Sequence, residues 1–172
     1  MYLEKIELVR TLPCLAEPGK VKVVGSPSNS LADVIPYLAT LPGIVTYNPD
    51  RLSLTFRRRP GFLTILSDKI LITQVKDNEE GVDLLNNLVE AINTTWAQRE
   101  ELVAVTKAAR VLRPLDIYAL LPQTNCGECG EATCMAFAAR LFMREGEPAE
   151  CTPIFEDPGF EEHRGTLEAM IG

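Results

Sequence analysis

The chain has 172 residues, a formal net charge of −7 and a hydrophobic content of 46%. This size suits one domain, or a small domain with an appendage, and the apolar content is sufficient for a packed core. No apolar stretch approaches the ~20 residues of a membrane-spanning helix, and the start of the chain lacks the basic leader of a signal peptide. We therefore expect a cytoplasmic protein that does not span a membrane.

The first 75 residues are typical of short strands interrupted by one helix. Apolar and polar residues alternate over 51–57, which is the period of a half-buried antiparallel strand. Proline, glycine, asparagine and aspartate mark tight turns between the strands. Ser30 and Asp33 resemble a helix N-cap that opens a helix over 31–41. The predicted strands cover 3–12, 20–24, 44–47, 51–57, 62–66 and 69–75.

A long helix is predicted over 78–112. Apolar residues recur there at spacings of three, four or seven, and no strong helix breaker interrupts them. The weakest stretch is 93–95, where the helix could divide. Its first half should cover the sheet and its second half should lead to the cysteine-rich segment. The predicted fold class is α+β: an antiparallel sheet covered by helices with a long linking helix in residues 1–112, then a small helical domain in residues 113–172.

Four of the five cysteines lie close together near the end of the chain. Cys126, Cys129, Cys134 and Cys151 have the spacing C-x2-C-x4-C-x16-C. In a reducing compartment such a group indicates metal ligands rather than disulfides. Gly127 and Gly130 allow positive φ, so that backbone amides can approach sulfur. Cys134 should lie near the start of a helix over 132–145, where thiolate is favoured over thiol.

The spacing leaves the kind of metal open. A structural zinc site is the main alternative, although zinc ribbons normally present two C-x2-C pairs and only the first half has that form here. The uneven spacing favours an iron–sulfur cluster. It does not fix the cluster type, because plant-type [2Fe–2S] proteins also combine gaps of two and four.

The segment also resembles a known family. The run from Leu120 to Gly130, continued by Thr133-Cys134-Met135-Ala136-Phe137-Ala138, is similar to the [4Fe–4S] domain of the corrinoid iron–sulfur protein large subunit, the gamma subunit of acetyl-CoA decarbonylase/synthase. A similar domain occurs in the B-type subunit of ion-translocating ferredoxin oxidoreductase. The resemblance covers 114–153 and implies a low-potential [4Fe–4S] cluster on Cys126, Cys129, Cys134 and Cys151. The corrinoid-binding barrel is not carried over, because the chain is too short for it, and residues 1–112 resemble no family that we recognise.

The net negative charge is concentrated around these cysteines. Residues 1–125 carry 14 acidic and 14 basic side chains, whereas residues 126–172 carry ten acidic side chains against three arginines. Such an end disfavours nucleic acid as a partner and favours a redox protein with a basic docking face. The alternative is that the acids only keep the segment soluble.

Other reactive residue types are few. Cys14 is expected to be a small buried hydrophobe rather than a redox relay, and His163, the one histidine, a surface residue. Arg57, Arg58 and Arg59 form the one dense basic run, which we interpret as a solvated hairpin end with anion docking as the alternative. No acid–base pair, nucleophile–base pair or cofactor loop supports catalysis.

Three functions are consistent with these residues. The resemblance favours a one-electron carrier or redox accessory module in anaerobic metabolism of the corrinoid or one-carbon type. The second is a non-redox accessory or redox-sensing protein in which the cluster, or zinc, is structural. The third is an enzyme, which we disfavour because four cysteine ligands leave no open iron.

Overall fold

The computed structural model describes residues 1–14 and 17–171. Across these residues, seven strands form a single sheet. The strands are β1 (Ile6–Pro13), β2 (Val21–Pro27), β3 (Ile44–Asn48), β4 (Ser53–Arg57), β5 (Phe62–Ile65), β6 (Ile70–Val75) and β7 (Ala109–Arg110). The six predicted strands are therefore confirmed, each with slightly different ends.

The sheet is antiparallel throughout its described pairings, as predicted. The strand order is β1-β2-β6-β5-β4-β3-β7. Strands β3 to β6 form a meander of consecutive neighbours, and β2 then joins the outer side of β6. The long connection through residues 76–108 returns to the opposite edge, where β7 pairs with β3.

Six α-helices occur in the same described residues. They are α1 (Ile35–Leu38), α2 (Asn78–Ala97), α3 (Pro114–Tyr118), α4 (Cys134–Phe142), α5 (Thr152–Glu156) and α6 (Glu161–Ile171). Helix α2 begins after Asp77, whose side chain accepts a hydrogen bond from the Glu80 amide and supplies the N-cap. None of the described helices is both long and apolar enough to cross a membrane.

The predicted helix over 78–112 is wrong in its second half, because α2 ends at Ala97. Beyond it the backbone bonds to other parts of the fold. The Val105 amide donates to the Pro36 carbonyl at 2.9 Å, and the Val111 amide donates to the Val45 carbonyl at 2.7 Å. These tertiary partners override the modest helix propensity of the valine-containing stretch, and residues 109–110 become an edge strand.

Helices cover both faces of the sheet. One core contains Val23, Leu54 and Ile72 together with apolar residues of α1 and α2. The second contains Val45 and Phe62 together with residues of α3 to α6. The sheet therefore separates two cores within one fold.

The expectation that strand β4 is half-buried is wrong for the same reason. Ser53 and Thr55, predicted to face solvent, are 2% and 0% exposed. Helix α6 contacts β3 and β4 and covers this face. The Thr55 hydroxyl instead lies 3.0 Å from the Thr64 hydroxyl, so the two satisfy each other.

Buried charges join α6 to the sheet. Lys22 of β2 is fully buried, and its Nζ lies 3.7 Å from Glu162 Oε2. Arg10 of β1 reaches Glu162 Oε1 at 2.6 Å. Burial lowers the pKa of Lys22, and the carboxylate of Glu162 opposes that effect. Residues on either side of the predicted domain boundary at 112/113 are thus in direct contact, and that boundary stays a prediction.

Candidate metal centre

The four clustered cysteines are carried by two short segments. Cys126 and Cys129 lie in the loop between α3 and α4, and Cys134 is the first residue of α4. Cys151 lies directly before α5, after a single 3-10 turn at Pro148–Glu150. The expectation that Cys134 begins a helix is confirmed, although that helix is shorter than predicted at both ends.

All four cysteines line one small cavity. Its other walls include Pro122, Asn125, Thr133 and Phe137. The volume open to the centre of a water molecule is about 10 Å³. Within residues 1–14 and 17–171, no three His, Cys, Asp or Glu side chains converge closely enough to hold a single metal ion. The thiols therefore surround a shared space without meeting at one point.

The cysteines differ in exposure. Cys134 and Cys151 are 8% and 6% exposed, Cys129 is half-buried and Cys126 is exposed. Burial raises the pKa of the Cys151 thiol, a hydrogen bond from the Ile154 amide opposes this effect, and the other three thiols raise the pKa further. An unpaired thiolate is therefore disfavoured at Cys151, and a positively charged metal centre would remove that cost.

The loop backbone has the predicted left-handed conformation. Gly127 and Gly130 have φ values of +77° and +87°. A Cβ atom at Gly127 would meet only the Glu131 carbonyl, at an ordinary 3.8 Å. Glycine is thus required there by the backbone angle rather than by lack of space.

Asn125 is a site residue that sequence reasoning missed. Its side-chain Oδ1 accepts a hydrogen bond from the Cys134 amide at 2.8 Å. Its own amide lies 3.4 Å from Cys134 Sγ, within reach of an N–H···S hydrogen bond. Asn125 itself has a φ of +51°, which asparagine tolerates better than most residues. An asparagine directly before the first cysteine is the signal that could have indicated this role.

Thr133 fixes the start of the helix that carries Cys134. The Thr133 Oγ1 accepts a hydrogen bond from the Ala136 amide at 3.1 Å. This N-cap places Cys134 in the first turn of α4.

Arg140 connects the two cysteine-bearing segments, and sequence reasoning missed it too. Its guanidinium lies 3.3 Å from Glu131 Oε1 and 3.4 Å from the Cys129 carbonyl oxygen. It also pairs with Glu150, the residue before Cys151. Gly146 leaves room for this side chain, because a Cβ there would lie 2.8 Å from Arg140 Nε. Arg140 therefore holds the loop and the Cys151 segment together.

Several of the acids counted around the site are paired. Glu131 and Glu150 contact Arg140, while Glu161 and Glu162 contact Arg10. Arg140 is one of the three arginines already counted against these acids, whereas Arg10 and Lys22 come from outside residues 126–172 and offset the negative charge further. A basic docking face on the partner stays a prediction.

The structure separates the remaining candidate residues from this cavity. Cys14 is buried, as predicted, at 4% exposure. The prediction that His163 lies on the surface is wrong: it is 2% exposed, because α6 packs on the sheet, and its Nδ1 lies 3.1 Å from the Leu120 carbonyl oxygen.

The arginine run is not simply solvated either. Arg57 forms a two-pronged ion pair with Asp116 of α3, at 2.5 and 3.0 Å. Burial raises the pKa of Asp116, but hydrogen bonds from Arg57 and Arg113 outweigh it and lower the pKa to about 2. Asp116 thus fastens the helix before the cysteine loop to the β4 strand.

Comparison with known proteins supports an iron–sulfur cofactor. Residues 121–153 match the family model described as "Putative Fe-S cluster". The chain is 48% identical over 62 residues to the acetyl-CoA decarbonylase/synthase complex subunit gamma 2 of Methanosarcina thermophila, which is 36% of this chain and 13% of that protein. It is 50% identical over 48 residues to the gamma subunit of Archaeoglobus fulgidus, which is 28% of this chain and 10% of that protein.

These matches confirm the predicted resemblance and limit it. The chain spans about an eighth of the length of these curated relatives, since the shares are 13% and 10%. No solved structure matches the chain.

Proposed function

We propose that Cys126, Cys129, Cys134 and Cys151 hold one [4Fe–4S] cluster and that the protein is a one-electron carrier or redox accessory module. The observation that carries the proposal is the shared cavity: all four cysteines of the matched segment line it, and Cys14, the fifth, does not. Four thiolates around a common space are the donor set that such clusters require. When bound, the cluster would accept and release one electron.

The surroundings support electron transfer rather than catalysis. Four cysteine ligands leave no iron free for a substrate, and the buried His163 is engaged with Leu120. Cys126 is exposed, so the cluster edge beside it would lie close to the surface. A partner could approach that edge while Cys134 and Cys151 stay shielded.

The metabolic setting is inferred from the relatives. They are gamma subunits of the acetyl-CoA decarbonylase/synthase complex, and the matches cover 62 residues, which is 36% of this chain and 13% of each of those proteins. We place the protein in anaerobic corrinoid or one-carbon metabolism, in the cytoplasm, with a redox protein as its partner. Residues 1–112 would then bind that partner and determine its identity.

Metal analysis of anaerobically purified protein tests the cofactor. We expect about four irons and four acid-labile sulfides per chain. Cys151→Ser should lose most of the iron, because it removes a buried ligand. Cys14→Ser is the matched control and should keep its iron. Zinc without sulfide, or equal iron loss in both variants, would contradict the proposed ligand set.

Redox titration tests the role. The cluster should take up one electron reversibly, with an electron paramagnetic resonance signal in the reduced state. If the fully loaded cluster is not reduced by strong low-potential reductants, the electron-carrier role is rejected and a structural role for the cluster is favoured.

A further inference from the structure

Four arginines line one open groove away from the cysteine cavity. The groove is about 530 Å³ in volume and lies between the β4–β5 hairpin and the start of α3. Arg57, Arg58, Arg59 and Arg113 contribute its cations, and we call it the arginine groove. The positive charge of this groove is opposite in sign to the net charge of the protein, which is −7.

The carboxylate in the groove is already engaged. Asp116 is 3% exposed and binds Arg57 at 2.5 Å and Arg113 at 3.2 Å. It therefore fixes two guanidinium groups in place and neutralises one positive charge. A net positive charge remains in the groove.

The other two arginines differ in how they are held. Arg58 donates to the Thr73 carbonyl at 2.9 Å and lies 3.8 Å from Glu80, so it is oriented by the fold. Arg59 is exposed, and among residues 1–14 and 17–171 no carboxylate lies within salt-bridge distance of it. Arg59 is thus available to a ligand.

The groove also has an apolar wall and an unusual backbone. Leu115 is 58% exposed and Phe62 lies beneath the Arg57 guanidinium, 6.0 Å from it. Gln74, which lines the groove, has a φ of +56°. Residues other than glycine rarely adopt a positive φ, and those that do are found more often at functional sites.

We propose that the arginine groove binds a small phosphorylated molecule with an apolar portion. All the basic side chains that line it are arginines, whose planar forks bind phosphate oxygens in pairs. The volume lies within the usual range of small-molecule sites, and Leu115 offers contact to the apolar part. The site is independent of the proposed cluster.

Calorimetric titration of the cluster-loaded protein with inorganic pyrophosphate, at constant ionic strength, tests the proposal. We expect saturable binding that Arg59→Gln weakens about tenfold or more, the effect of losing one charge-assisted hydrogen bond. Arg59→Lys keeps the charge but not the fork, so its affinity should be intermediate. Both variants should fold normally, because the Arg59 side chain forms no hydrogen bond or ion pair with residues 1–14 or 17–171.

Arg51→Gln is the matched control. Arg51 is exposed in the β3–β4 turn, outside the arginine groove, and its substitution changes the net charge equally. It should leave pyrophosphate binding unchanged. Equal weakening by Arg51→Gln and Arg59→Gln would show diffuse charge attraction only, and absence of saturable binding would mean that no phosphate site exists. Either result overturns the proposal.

Discussion

His163 should make the fold sensitive to mild acid. The imidazole is 2% exposed between α6 and the Leu120 carbonyl. Burial lowers its pKa to about 4, the nearby Lys22 charge adds to the effect and the Leu120 carbonyl opposes it. In the unfolded chain the pKa should return to about 6.5.

The sign and size of the effect follow from these two values. Below about pH 6.5 His163 becomes protonated in the unfolded chain, whereas in the folded protein it stays neutral down to about pH 4. The free energy of unfolding is therefore unaffected above this window and falls within it. Since one pKa unit corresponds to about 1.4 kcal/mol, acidification from about pH 8 to about pH 5 should remove about 2 kcal/mol.

Urea unfolding of the wild type and of His163→Gln, followed by circular dichroism at both pH values, measures this contribution. Glutamine keeps an N–H donor for Leu120 but does not titrate. Both proteins carry the same cysteines, so acid loss of a cluster is common to them. The wild type should lose about 2 kcal/mol more than the variant on acidification. An equal loss in both would refute the reasoning.

Three further predictions concern the charged contacts around the site. Arg140→Gln should speed iron loss to a chelator about tenfold, because Arg140 holds together the two segments that carry the proposed ligands. Arg144→Gln, at the exposed end of the same segment, should not speed iron loss. Gly146→Ala should reproduce that loss, since its Cβ would displace the Arg140 side chain; normal iron retention would contradict the connecting role. Asp116→Asn should lower the free energy of unfolding at neutral pH by about 2 kcal/mol, because the fold lowers the pKa of Asp116 from 3.8 to about 2. Urea unfolding measures this loss, and a variant as stable as the wild type would show that Arg57 does not need the carboxylate.

The sequence predicted the elements whose signal is local. Alternation over 51–57 and the turns around it give the meander of β3 to β6. The cysteine spacing and the residues between Cys126 and Cys134 indicated the site and its family resemblance, because a metal-binding loop depends on near neighbours in the chain.

What the sequence could not predict depends on distant contacts. The helix predicted beyond Ala97 does not form, because the amides of Val105 and Val111 donate hydrogen bonds to other parts of the fold. Ser53 and Thr55 look like surface residues until α6 covers them. Arg140 acts through contacts that no spacing rule describes, Asn125 is marked in the sequence only by its place before Cys126, and His163 is buried by the same packing of α6.

The attachment of α6 to the sheet would couple loading of the proposed cluster to the stability of β3 and β4. In sequence the cysteine loop lies between β7 and α6, and both of these elements contact β3. A cluster that binds only the folded loop must therefore add its binding free energy to the stability of the β3 edge of the sheet as well. Iron limitation would then lower the thermal stability of β3 as well as that of the cysteine loop, and the abundance of the protein in the cell would follow the supply of its cofactor.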